Sequence, residues 1–329
     1  MKHLLFFLTI ITLGACKKAD NEVPLPEAPE VQQFSLLNQN NSTLTSNVIN
    51  SITKDANNCL WIGTNNGICK YNSGIWTIFD SASFSFPSKI INTIISDNSG
   101  IIWAGTNNGL LKYDGTNWTI YNTSNSLLPL NKIRSLAIDN NNNLWVGTFS
   151  GGGLAKFDGT NWTKYTPANS GLPNNSVGAV AVDINNQIWI GTGSGISVFD
   201  GNTSWTHFNM SNSGLPNNSI YSIAIDSLNN KWIGTNAGLA KFDGSSWTVF
   251  NSNNSGLTLN LVRPVVCFQN NQKWIGTEGG GVCKLNDINW DSYHMNNSNL
   301  PDNSISCITI DHQGKKWIGT KTAGIAIIE

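Results

Sequence analysis

The stretch "NNKWIGTNAGLAKFDGSSW", residues 229–247, contains one structural unit almost entire. Just upstream, "SIYSIAID" (219–226) is rich in β-branched residues and reads as a strand, here strand A. Asp226 and the polar "SLNN" form a turn in which the carboxylate can cap its own backbone. "KWIGT" is strand B, and Asn236-Ala237 turns tightly into strand C, "GLAKFD". Asp243-Gly244 is expected to supply the positive-φ positions of a second hairpin turn. "SWTVF" is strand D, and "NSNNSGLTLN" crosses to the next unit.

The unit repeats. W-x-G-T begins at Trp61, Trp103, Trp145, Trp189, Trp232, Trp274 and Trp317, at steps of 42 to 44 residues. A fixed period in the forties with several short strands per unit indicates a β-propeller. A strand-D tryptophan recurs at Trp76, Trp118, Trp162, Trp205, Trp247 and Trp290, so the two series account for all 13 tryptophans. Tryptophans placed by a repeat read as packing between blades rather than as sugar-stacking platforms. The Gly two residues after each strand-B Trp admits the neighbouring sheet.

The ends predict closure. The seventh repeat stops at "GIAIIE" (324–329), after strand C, while "QQFSLLNQNNSTLTSN" (32–47) puts Phe34 where strand D carries its Trp. The N-terminal strand should therefore complete the last blade and remove the exposed edges. The expectation is an all-β chain with a single seven-bladed propeller over 32–329, four antiparallel strands per blade.

Residues before 32 read as export signals. Lys2 and His3 precede an apolar run, Leu4 to Leu13, that is too short to span a bilayer. Leu13-Gly14-Ala15-Cys16 resembles the lipobox of bacterial lipoproteins. That resemblance implies a signal peptide over 1–15, lipidation of Cys16 and stable anchoring by several acyl chains. Residues 16–31 then form a charged, Pro-rich tether. Lys17 and Lys18 stand where an Asp often marks inner-membrane retention in such lipoproteins, which leans the expected location to the outer membrane. A net charge of −1 with 12% charged residues argues against nucleic acid as a partner. Cys59, Cys69, Cys267, Cys283 and Cys307 are odd in number and lack zinc-ligand spacing, so they read as buried free thiols.

The pattern D-x-x-N/G-x-x-W-x-G-T-x-x-G-L/I resembles the two-component regulator propeller repeats over residues 32–329. That resemblance implies an extracytoplasmic sensor-type propeller of the kind found in hybrid histidine kinases and associated with sensing oligosaccharides. The segments "DNSGIIW" (97–103) and "DHQGKKW" (311–317) are also similar to the Asp boxes of sialidases, which are structural turns. Sialidases need three arginines and this chain has two.

An enzyme is not expected, and neither is a cofactor or a metal. Most acidic residues fall at repeat positions or in the tether, leaving Asp80, Glu278, Asp287, Asp291 and Asp302. Only Glu278 lies near the central opening, whereas glycoside hydrolysis needs two facing carboxylates. Five residues before the strand-A Asp, the blades read Asn50, Asn92, Arg134, Gly178, Tyr221, Arg263 and Ser306; in blade six Phe268 replaces the Asp. Both arginines of the chain lie at this one position, three blades apart, facing across the mouth where the A strands begin. Arg binds carboxylate, sulfate or phosphate in a bidentate manner and also bonds sugar hydroxyls. Tyr221, Asn50 and Asn92 would add stacking and hydrogen bonds, and the B–C turns would bring Phe149, Glu278 and Lys321 to the same mouth. The functional expectation is a non-catalytic, membrane-anchored propeller binding a glycan or another polar, anionic ligand there. The alternatives are a protein-interaction scaffold in the cell envelope and a polysaccharide lyase or hydrolase centred on Glu278.

Overall fold

The computed structural model describes residues 33–268 and 271–329. The expected signal peptide (1–15) and the lipidated Cys16 with its tether (16–31) lie outside the described residues. The described residues form 28 strands, β1 (Ser35–Leu37) to β28 (Ile325–Ile328), and no helix. They assemble into seven four-stranded antiparallel sheets. Each of the first six is a consecutive run of strands A to D, from β2 (Ile49–Lys54) to β25 (Asn289–Tyr293). Strand A of each blade lies beside strand A of the next, and β26 (Ile305–Ile310) lies beside β2, so the blades close into a seven-bladed propeller.

The seventh sheet has the order β1, β28, β27 (Lys316–Thr320), β26. Ser35 pairs with Ile327 and Leu37 with Ile325, so the first strand of the chain is strand D of the last blade. Phe34 is 4% exposed beside Trp274 and Ile328, the placement expected of a strand-D tryptophan.

The strand-B tryptophans hold two jobs. Their rings enter the core between blades: Trp103 of blade two packs among Leu128 of the following crossover and Ile133 and Phe157 of blade three. Their indole N–H groups are tied back to the strand-A Asp of their own blade, as in Trp145 Nε1 to Asp139 Oδ2 at 3.0 Å. The other oxygen of Asp139 accepts from the backbone N–H groups of Asn141 (3.0 Å) and Asn143 (2.9 Å), which shapes the A–B turn. Blade six lacks the Asp, and there Gln272 Oε1 accepts the Trp274 N–H at 2.8 Å. Each WxGT glycine faces the next blade: a Cβ on Gly105 would meet Ile133 Cγ2 at 2.4 Å.

One turn differs from expectation. The C–D connection of blade five is a four-residue loop between Phe242 and Trp247, rather than a two-residue hairpin turn. Only Gly244 is left-handed there (φ 104), while Asp243 Oδ1 caps the loop by accepting from Ser245 and Ser246 N–H groups at 2.9 and 2.8 Å. Capping by the carboxylate removes the need for a second positive φ. The five cysteines of the described residues are free thiols; Cys59, Cys69 and Cys283 are buried, and Cys267 and Cys307 are half-buried. Burial pushes the Cys267 and Cys307 thiols up to about 12, so neither is a nucleophile at neutral pH.

The candidate ligand mouth

The ring position shares one backbone feature. In every blade the A–B register shifts there: between Ile49 and Ser51, Ile91 and Thr93, Ile133 and Ser135, and likewise around Gly178, Tyr221 and Ser306. In blade six the shift spans Arg263 and Pro264. A β-bulge re-aims a side chain out of the sheet alternation. Here it turns six side chains and Gly178 toward the axis, where all seven positions line one cavity of about 550 Å³. That size falls within the range of small-molecule sites.

Asn50, Asn92, Arg134, Tyr221, Arg263 and Lys321 of the expected set line this cavity. Glu278 is joined to it by bonds to two of them. Phe149 does not line it. Its turn, "FSGGG", is longer than its counterparts, with Thr148 Oγ1 donating to Gly153 O at 2.8 Å across five residues instead of the three or four of the other blades. Gly152 packs on Leu130 of the preceding crossover, where a Cβ would come within 2.6 Å of Leu130 Cβ. Phe149 is left 41% exposed with Lys132 Nζ 5.5 Å over its ring, outside the cavity.

The polar side chains around the mouth are not equivalent. Asn50 donates one N–H to Ile91 O and the other to Asn65 Oδ1, both at 2.9 Å. Asn92 repeats this with Ile133 O and Asn107 Oδ1, again at 2.9 Å. Ser306 donates to Ile49 O. On the arc from blade seven to blade three, the bulged residue thus latches its blade to the next, and its donors are spent. From blade three to blade six the position holds Arg134, Gly178, Tyr221 and Arg263, and none of these side chains donates to the next blade's backbone.

Arg263 is nonetheless engaged through each of its three side-chain nitrogens. Its Nε and Nη2 both reach Glu278 Oε2, the former at 2.5 Å. Its Nη1 donates to Asn236 Oδ1 at 3.3 Å, and its guanidinium lies 3.7 Å over the Tyr221 ring. The Tyr221 hydroxyl accepts from Asn236 Nδ2 at 3.1 Å. One face of Tyr221 is therefore covered by Arg263 and is closed to a ligand. Glu278 Oε1 accepts from Lys321 Nζ at 2.5 Å. Lys321 first and Arg263 second hold the Glu278 carboxyl below its usual range, against the opposing effect of burial. Arg134 has no hydrogen bond or ion pair among the described residues. Desolvation by the surrounding blades, and then the Arg263 charge, lower its pKa from the ordinary arginine value; Tyr221 and Glu278 oppose this. Its side chain remains open to solvent while standing in the field of the whole cluster.

Asn65, Asn107 and Asn236 are partners that the sequence reading passed over. A signal for them existed: each follows a WxGT directly, the position that also holds Phe149, Glu278 and Lys321. In four blades the bulged residue bonds this turn residue of its own blade. Among the described residues no three His, Cys, Asp or Glu side chains gather as a metal-ligand set.

Comparison with known proteins fits this architecture. Residues 43–66, 127–150, 171–194, 214–237 and 299–322 match the family described as Two component regulator propeller. Each matched segment runs from a crossover through strands A and B, in blades one, three, four, five and seven. The chain thus carries two-component regulator propeller repeats. No curated protein matches the chain. Among solved structures, it is similar to the extracellular domain assigned to a hybrid two component system of B. thetaiotaomicron, at 25% identity and a TM-score of 0.78. That match covers 91% of this chain and 42% of the other, so the chain spans less than half of that relative's length. At lower identity the fold is shared with PorZ, a surface component of the type-IX secretion system of Porphyromonas gingivalis (18%, TM-score 0.72, 86% of this chain and 46% of that one). It is also shared with virginiamycin B lyase from Staphylococcus aureus (15%, TM-score 0.73, 90% and 99%).

Proposed function

We propose that this chain of two-component regulator propeller repeats is a non-catalytic, sensor-like binding protein of the cell envelope. In this reading it holds a glycan or another polar, anionic ligand at the mouth of its central cavity. The observation that carries the reading is Arg134: an unpaired guanidinium among the seven bulged residues that converge on one cavity. Three cations, Arg134, Arg263 and Lys321, face one anion, Glu278, which leaves the cluster two positive charges in excess. Such a cluster attracts anions and bonds hydroxyls. The similarity to an extracellular domain of a two component system supports export, the lipobox-like Leu13-Gly14-Ala15-Cys16 supports anchoring through Cys16, and Lys17 and Lys18 favour the outer membrane.

Catalysis is a poorer fit. Glu278 is held ionised by two cations, which suits an ion-pair strut and not a general acid. No carboxylate lines the cavity among the described residues, and Glu278 reaches it only through Arg263 and Lys321. A glycan screen by calorimetry, repeated on an Arg134→Ala/Arg263→Ala double variant, tests the reading. Binding that is lost in the folded double variant supports it, and binding that is unchanged removes the site.

A further inference from the structure

We propose that Glu278 is a built-in counter-anion that makes the mouth select ligands carrying a single anionic group, such as a sugar with one carboxylate or one sulfate, over doubly charged ones. This rests on the binding reading above and specifies the ligand class of the same site.

The charges around the mouth are of two kinds. Arg134 is a free cation on blade three. Arg263 and Lys321, on blades six and seven, are already bridged by one carboxylate, with Oε2 toward Arg263 and Oε1 toward Lys321 at 2.5 Å. Arg263 is further fixed by Asn236 and by the Tyr221 ring at 3.7 Å. One ligand anion therefore has a partner waiting at Arg134. A second would have to share cations with Glu278 or drive it out, against like-charge repulsion and the loss of both bridges. Selection of this kind works by penalising the wrong ligand, not only by attracting the right one.

Glu278 can do this without moving the fold. Its backbone is held independently of its carboxylate, by Glu278 N–H to Leu261 O at 2.9 Å and by a bridge to Ser304. The opposite arc contributes little to charge recognition: the amide donors of Asn50 and Asn92 are committed to neighbouring blades and turns.

The test uses three open-chain probes with one six-carbon skeleton and rising charge: galactitol, galactonate and galactarate. Binding is read by saturation-transfer NMR at millimolar probe with the full-length protein, its Glu278→Gln variant and its Arg134→Ala variant. The wild type is expected to bind galactonate at least about tenfold more tightly than galactitol, with galactarate no tighter than galactonate. Glu278→Gln should raise galactarate affinity relative to galactonate by about tenfold or more. Arg134→Ala should abolish the galactonate advantage over galactitol. Wild-type preference for galactarate, or a Glu278→Gln ratio equal to wild type, overturns the inference; if Arg134→Ala still weakens galactonate, the binding reading survives that result. Failure of all three probes to bind the wild type overturns both. The wild-type preference order judges the inference even if Glu278→Gln does not fold.

Discussion

At the scale of single residues, the strand-A Asp is the most heavily used side chain of every repeat but the sixth. Asp139 accepts from two backbone N–H groups, from Asn143 Nδ2 at 2.8 Å and from the buried Trp145 indole at 3.0 Å. Asp139→Ala strands several of these donors at once, and a cost of about 3 kcal/mol is expected by urea unfolding. Gln272→Ala in blade six removes one acceptor from one indole and should cost only about 1–2 kcal/mol in the same experiment. Asp226 adds a charge to this logic. Burial alone would raise its pKa, but the hydrogen bonds of Trp232 and Asn230 and the charge of Lys273 outweigh burial and lower it below 3.8. Lys273 is itself only 2% exposed, with its ammonium 3.5 Å from Asp226. A carboxylate with a lowered folded pKa stabilises the protein above its unfolded pKa, and that contribution is lost as pH falls through the folded value. Melting temperature should therefore drop on acidification below about 3.8, and Asp226→Asn, less stable at neutral pH, should show a shallower drop.

At the scale of elements, the bulge separates what was legible in the sequence from what was not. The seven bulged positions could be aligned because the repeat keeps Asp and WxGT in phase. That alignment put Arg134 and Arg263 at one ring position, and both line the same cavity. Periodicity does not report which donors are already spent. Asn50 and Asn92 read as ligand groups and prove to be latches, and Arg263 reads as the twin of Arg134 and proves to be clamped by Glu278 and Tyr221. These partners sit on other strands, turns and blades, so only the closed ring brings them together. Phe149 illustrates the same limit, because the extra glycines that make its turn conspicuous also carry it outside the cavity. The element-level prediction is a split between stability and binding. Asn92→Ala should cost about 1 kcal/mol in unfolding free energy. Arg134→Ala should leave the melting temperature within experimental error of wild type and remove anion binding.

At the scale of the whole molecule, the ring depends on a seam. Blade seven is completed by β1, which covers the edge of β28 and seats Phe34 beside Trp274, with the Phe34 and Tyr293 rings edge-to-face at 5.9 Å. Asn299 fastens the strand from the side, accepting from Phe34 N–H at 2.7 Å and donating to Phe34 O at 2.8 Å. Phe34→Ala should cost about 3 kcal/mol in urea unfolding. Removal of residues 1–38 should expose the β28 edge and produce concentration-dependent self-association, visible by light scattering.

The seam also sets an order of events. Blades one to six are built from neighbouring segments, and each can form as its own repeat becomes available, because its loops are short and cheap to close. Blade seven has no such freedom: Ser35 meets Ile327 only when nearly the whole chain has been traversed. Contacts this far apart in sequence form late in folding. The open arc of blades is therefore the species at risk, with β28 unpaired at one end. The same joint should be the first to part when the protein unfolds, so the lifetime of the ring is governed at the last blade, on the opposite side from the blade-three arginine that gives the mouth its free charge.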